Sequence, residues 1–231
     1  MSVTENLKEV ERRVEEALRR AGRPAGSVTV LAVSKTKPVE MIRELLDAGH
    51  LDFGENYVQE LKEKADALPE ARFHMIGHLQ RNKVKTTVGR AVMIHSVDSV
   101  RLAEEISKES VKKGLVSEIL LEINGGNEES KFGFDFSEAE EACRQISPLP
   151  GVHVAGLMCV APYVEDPEKN RPIFRKMFQL AVDIANKNID NISMKVLSMG
   201  MTGDFETAVE EGATIVRVGT AVFGERNYRR A

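Results

Sequence analysis

Apolar residues recur along this chain with two alternating periods. Val3, Leu7, Val10, Val14, Leu18 and Ala21 fall at three- and four-residue steps, one face of a helix that Gly22 and Pro24 close. SVTVLAVS follows, β-branched and apolar at almost every position, which is the pattern of a strand covered on both faces. Pro38 then marks a first helical turn, and VEMIRELLDAG reads as a helix ended by Gly49. The alternation continues as LDFG, a helix over 55–68, ARFHMIG, a helix in LQRNKVKTTVG, and AVMIHSV. Asp98 is the expected cap of a helix running to Gly114. VSEILLEIN, a helix in FSEAEEACRQIS, GVHVAGLMCV and a helix over 171–188 come next. SMKVLSMG, a short helix over 204–211 and ATIVRVG complete the series.

Eight strand signals, each followed by a helix or helical turn, favour a closed α/β (β/α)8 TIM barrel over an open doubly wound sheet. No stretch reads as a linker or low-complexity tract. The expectation is one domain over residues 1–231, with residues 1–22 as an extra N-terminal helix packed on the barrel.

Composition narrows the partners. A formal net charge of −4 and no Lys/Arg block beyond RNKVK argue against nucleic acid. No apolar run approaches the ~20 residues of a membrane span, and the charged N-terminus lacks a signal core. Cys143 and Cys159 have no paired spacing and read as free thiols of a cytoplasmic protein. His74 and His78 invite a metal reading, but four-residue spacing does not converge in a strand-to-loop segment, and no metal is expected.

In such a barrel, function belongs to the loops at the strand C-termini, and phosphate sites favour the loops after strands seven and eight. Those loops carry Ser198-Met199-Gly200-Met201-Thr202-Gly203 and Arg217-Val218-Gly219-Thr220, whose glycines let backbone N–H groups approach an anion. Neither is a dinucleotide or Walker motif. Across the mouth, SKTKP places Lys35 and Lys37 two apart at the end of strand one, on one side if the strand continues. A lysine in a partly dry cavity loses preference for its charged form and becomes nucleophilic. A reactive amine opposite an anion cradle suits pyridoxal 5′-phosphate, which has both an aldehyde and a phosphate. The residues alone do not choose between Lys35 and Lys37.

The segments AVSKTKP, FGENYVQE, HMIGHLQRNK, GLMCVAP, LSMGMTGDFETAVEEGAT and VRVGTAVFGERNY, in this order, closely resemble the pyridoxal phosphate homeostasis protein family. The resemblance spans almost the whole chain and implies a barrel similar to the N-terminal domain of alanine racemase and eukaryotic ornithine decarboxylase, the fold-type III architecture. It implies Lys35 as the Schiff-base residue, and Lys37 is then read as a reserve amine or as an electrostatic neighbour that depresses the pKa of Lys35. It places Ser198, Gly219 and Thr220 at the phosphate, with Met199 and Met201 beside that loop and Gly200 among the cofactor-binding residues. By the same resemblance, Arg217 matches the arginine that faces the pyridine nitrogen in fold-type III enzymes, and Asn56 is expected near the ring. Because guanidinium keeps its proton, that nitrogen stays unprotonated and the ring is a poorer electron sink. Lys131 in SKFGF is a candidate for binding an anionic substrate or partner.

A chain ending at Ala231 leaves no room for the β-rich second domain that completes the related racemases and decarboxylases. Racemisation needs acid/base groups on both cofactor faces. The expectation is therefore a monomeric protein that stores, buffers or transfers pyridoxal phosphate without strong turnover, with apoenzymes or amino acids as candidate partners. The alternatives are a fold-type III racemase or lyase using Lys35 with Tyr57 or Lys37 as second base, and a barrel serving a protein partner.

Overall fold

The computed structural model describes residues 2–126 and 132–225; Lys131 lies outside them. Helix α1, Val3–Arg20, comes first, and Ser2 caps it: the Ser2 hydroxyl accepts the Glu5 N–H while the Glu5 carboxylate accepts the Ser2 N–H. The barrel units follow as β1 (Thr29–Val33), α2 (Val39–Asp47), β2 (Asp52–Glu55), α3 (Val58–Ala67), β3 (Arg72–Met75), α4 (Val84–Thr87), β4 (Ala91–Val97) and α5 (Val100–Lys112). Then come β5 (Ser117–Ile123), α6 (Ala139–Ile146), β6 (Val152–Cys159), α7 (Arg171–Ala185), β7 (Ile192–Ser198), α8 (Phe205–Glu210), β8 (Ile215–Val218) and α9 (Thr220–Phe223). All neighbouring strands run parallel, and β1 pairs with β8 to close the ring in the order β1 to β8. This is the expected TIM barrel.

Four local expectations need correction. Pro38 is the cap of α2 rather than its first residue. The helix expected from Glu55 begins at Val58, because Glu55 is still paired with Met75 in the sheet. LQRNKVKTTVG forms only a 3₁₀ turn, Arg81–Lys83, and the single turn α4. Ser99, not Asp98, caps α5: Ser99 has the extended backbone and its hydroxyl accepts the Leu102 N–H, while the Asp98 carboxylate is engaged by His78 and the Ser99 hydroxyl.

The core has two layers. Between strands and helices lies the large cluster that includes Phe53, Phe73, Phe174 and Phe205. Inside the ring Leu120, Ala155 and Met158 form an apolar plug with Met93, Val160 and Val196 against it, and His74, His95, Ser198 and Arg217 are buried polar residues. Helix α1 lays Val3, Leu7, Val10, Val14 and Leu18 against α8, α9 and α2. Arg13 and Arg20 fasten the same helix to Glu206 and Glu210, and the Asn6 amide donates to the Val222 carbonyl (3.0 Å). Both cysteines are buried free thiols, and burial pushes each up to about 12. No helix among the described residues is long and apolar enough to cross a membrane.

If α1 is an integral part of the core, Leu7→Ala, at a side chain only 4% exposed, should lower stability by about 2–5 kcal/mol, read as a fall in the urea midpoint. A loss below about 0.5 kcal/mol would mean that the helix is not seated.

Candidate functional site at the carboxyl end of the barrel

The site residues meet where β1 and β8 close the ring. Register pairs Leu31 with Arg217 and Ala32 with Val218, so Gly219 and Thr220 emerge beside Val33 and Ser34. Beyond β1 the chain does not continue as a strand. The Lys37 N–H donates to the Ser34 carbonyl (3.0 Å), closing a turn with Lys35 and Thr36 at its centre. Thr36 adopts φ 63°, a left-handed conformation that costs a β-branched residue about 1–3 kcal/mol. The argument that Lys35 and Lys37 share a strand face therefore fails. Lys35 is half-buried at the turn. Lys37 instead donates to the carbonyls of Phe223, Gly224 and Glu225 at 3.1–3.4 Å, and closes the end of α9.

A buried ionic cluster holds the turn from below. Lys64 donates to Ser34 O (2.8 Å), Glu55 Oε1 (2.8 Å) and Glu60 Oε2 (2.7 Å). The Ser34 hydroxyl donates to Glu55 (2.6 Å), and the Thr36 N–H donates to Glu60 (2.7 Å). Both neighbours of Lys35 are thus clamped, which keeps Thr36 in its disfavoured conformation. Burial raises the Glu55 carboxyl despite the Lys64 charge, and its Oε2 has no hydrogen-bond partner.

Arg217 lies on β8, the strand beside β1 rather than across the mouth from it, and is 5% exposed. Its Nη1 donates to the carbonyl (2.6 Å) and hydroxyl (2.7 Å) of Ser198, and its Nη2 to the Cys159 carbonyl (2.7 Å). Its Nε–H and second Nη2–H have no acceptor among the described residues, and no carboxylate pairs with it. Burial lowers its pKa, with Glu122 and Asp204 opposing that from a distance. The Ser198 hydroxyl, the expected phosphate donor, is fully buried and taken up by Arg217 and by His95 Nδ1 (2.9 Å).

The loop after β7 is shaped for close approach. Gly200 has φ 89°, and a Cβ there would meet Ala208 Cβ at 2.5 Å. Its carbonyl accepts the Arg217 N–H, and Asp204 Oδ1 accepts the Met201 N–H, fixing the loop. The N–H groups of Gly200, Thr220 and Ala221 donate to no acceptor among the described residues, and Thr220 is exposed. Met199 points the other way, into the helix-side core, so only its backbone faces the site; Met201 is half-buried. Asn56 is half-buried and its Oδ1 lacks a partner; a Cβ on Gly77 would lie 2.4 Å from the Asn56 carbonyl, so that packing requires glycine. Tyr57 is 57% exposed, outside the ring, beside a surface cavity that His78 also lines.

Sequence reasoning missed several residues. His74 is a buried strand residue rather than a loop histidine, bonded to His95 (2.9 Å) and Asp52 (3.3 Å). His78 pairs with Asp98 and stacks on Phe132 at 3.8 Å between centroids. Glu122, two residues after the plug residue Leu120, is half-buried on β5; burial, with Asp98 adding, pushes it up to about 7 against the pull of Arg217.

Lys64→Met would leave Glu55 without its counter-charge and should cost about 3–5 kcal/mol near pH 8. A carboxyl whose folded pKa is raised costs stability as pH rises, so the loss should shrink toward pH 5. A loss that stays constant across that range in denaturant titrations would refute the charge account.

The architecture and this arrangement can be set beside known proteins. Residues 6–227 match the family model described as alanine racemase, N-terminal domain. The chain is 45% identical over 230 residues to the pyridoxal phosphate homeostasis protein of Aquifex aeolicus, covering 99% of this chain and all of that one. The human protein of the same name is 37% identical, covering 97% of this chain and 86% of the relative. Among solved structures, PipY of Synechococcus elongatus with PLP bound superposes with a TM-score of 0.79 at 34% identity, over 91% of this chain and all of that one. An alanine racemase from Clostridium difficile, at 11% identity, shares the fold with a TM-score of 0.72 over 95% of this chain and 56% of its own. Matched over nearly its whole length, the chain belongs to the pyridoxal phosphate homeostasis protein family, within the alanine racemase N-terminal domain fold.

Proposed function

We propose that this protein binds pyridoxal 5′-phosphate at the carboxyl end of the barrel and serves intracellular homeostasis of that cofactor by holding and releasing it. The observation that carries the reading is Arg217: a buried guanidinium with two donors unused and no carboxylate partner among the described residues suits an electron-rich ligand. The rest of the donor set fits the same group. Amide hydrogens of Gly200, Thr220 and Ala221, with the backbone of Gly219, suit the phosphate. The unpartnered Oδ1 of Asn56 suits a polar ring substituent. Lys35, on its clamped turn, supplies the amine for the aldehyde. PipY, 34% identical, has been solved with PLP bound, and the relatives carry the homeostasis name, which supports this reading.

When bound, the cofactor supplies an electrophilic carbon and an electron-withdrawing ring. The chain's residues bind and orient. Arg217 donates toward the ring edge and keeps its own proton, which disfavours carbanion chemistry. Ser198 acts through its bond to Arg217 rather than as a free hydroxyl. Lys37 serves the end of α9. Handover to apoenzymes, action as a monomer and a cytoplasmic location remain parts of this proposal.

A racemase or lyase activity is the second reading, favoured by Glu122, a carboxyl near neutrality on β5 and within the electrostatic reach of Arg217. Conversion of L- to D-amino acids by cofactor-loaded protein above the rate of free cofactor, lost in Glu122→Gln, would establish it.

Lys35→Ala should fold normally by circular dichroism yet lose the visible absorbance of the condensed cofactor and bind it at least tenfold more weakly, about 1.4 kcal/mol. After borohydride reduction of wild-type protein, mass spectrometry should find the cofactor on the peptide containing Lys35. An adduct on Lys37, or none, would overturn the assignment.

A further inference from the structure

A file of buried polar groups descends through the barrel from the proposed site to its opposite end. Arg217 Nη1 donates to Ser198 Oγ (2.7 Å), which lies 2.9 Å from His95 Nδ1. His95 Nε2 is 2.9 Å from His74 Nδ1, and His74 Nε2 is 3.3 Å from Asp52 Oδ1. The contributing strands are β8, β7, β4, β3 and β2. Because β5 and β6 separate β4 from β7 in the ring, the His95–Ser198 bond crosses the interior. Ser198 and Arg217 sit toward the carboxyl ends of their strands, whereas Asp52 is the first residue of β2. Asp52 also pairs with Arg72 and lines a cavity of about 430 Å³ with Glu11, Glu15, Thr29 and His50.

The carboxylate at one end of this file and the guanidinium at the other constrain the directions of its bonds. Burial alone would raise the Asp52 carboxyl, but the bonds from His74 and Arg72 outweigh burial and hold it below the usual carboxylate range. An ionised carboxylate only accepts, so His74 Nε2 carries a proton. Burial, with the charges of His74 and Arg217, pushes His95 well below its ordinary pKa, so that ring is neutral and has one donor and one acceptor. Where His74 carries that proton and no second one, its Nδ1 accepts from His95 Nε2–H. His95 Nδ1 then accepts the Ser198 O–H, and the Ser198 lone pairs receive Arg217.

We infer that Asp52, His74 and His95 are positioning residues: they turn the Ser198 hydroxyl proton toward the barrel floor, so that Ser198 seats Arg217 with its spare donors facing the site. Ser198 is thereby excluded as a hydroxyl donor to an anion at the mouth. None of these histidines needs to touch a ligand for this role.

Two measurements test the inference, and only the second rests on the proposed cofactor. In ligand-free protein at pH 8, long-range nitrogen–proton NMR correlations should show both His74 and His95 protonated at Nε2. A Nδ1–H form at His95 would overturn the thread whatever the protein binds. In cofactor titrations, His95→Leu should weaken binding about tenfold and shift the absorbance of the bound cofactor. His95→Gln, which keeps one donor and one acceptor at similar volume, should stay within about twofold of wild type. Equal affinity and equal spectra in the two variants would refute the positioning role. If His95→Leu does not fold, Asp52→Leu substitutes: the His95 resonances should then report a mixture of tautomers, and an unchanged single tautomer would count against the inference. Failure of wild-type protein to bind the cofactor would sink the functional reading and leave the tautomer result standing.

Discussion

Closure of the sheet by parallel pairing of β1 with β8 is the constraint on which the rest of this molecule depends. The register of Leu31 against Arg217 brings residues nearly 190 positions apart onto one rim. It sets the turn bearing Lys35 beside Gly219 and Thr220, and it closes an interior where Arg217 has little water. Parallel strands joined only through helical crossovers have no local hairpins to guide them, so this contact forms between the two ends of the chain. Helix α1 reinforces the same seam by packing on α8 and α9, the helices flanking β8.

The interior combines an apolar plug with buried polar groups. Leu120, Ala155 and Met158 fill a small plug, while His74, His95, Ser198 and Arg217 occupy volume that many barrels fill with branched aliphatics. Each polar group there must be satisfied, since an unpaired one costs roughly 1–3 kcal/mol. The chain achieves this with a single continuous file of bonds in the middle of the barrel. Spare hydrogen-bonding capacity at the carboxyl rim lies at Arg217, Asn56 and the glycine loops. That distribution separates a rigid floor from a receptive mouth.

Much of this was legible in the sequence, for identifiable reasons. Runs such as SVTVLAVS and GVHVAGLMCV are apolar at consecutive positions because both faces are buried, and their spacing gave the eight units of the ring. The glycines of SMGM and RVGT marked the loops after β7 and β8. What could not be read depends on three-dimensional register. Lys35 and Lys37 looked alike until the chain bent at Thr36 and sent Lys37 to the end of α9. His74 and His95 come together only because β3 and β4 pair with a bulge at Phe73/His74. Lys64 reads as an ordinary helix-surface lysine, since nothing local shows Glu55 beneath it. Ser99 took the cap from Asp98 because backbone conformation, not side-chain acidity, decides which residue begins a helix.

The three carbonyls gripped by Lys37 have a consequence of their own. They belong to the last residues described, and the lysine that holds them is two positions from Lys35. The end of α9 and the turn bearing Lys35 are therefore mechanically one piece, so a pull at Glu225 would pass through Lys37 into the turn that carries the amine proposed to meet the cofactor.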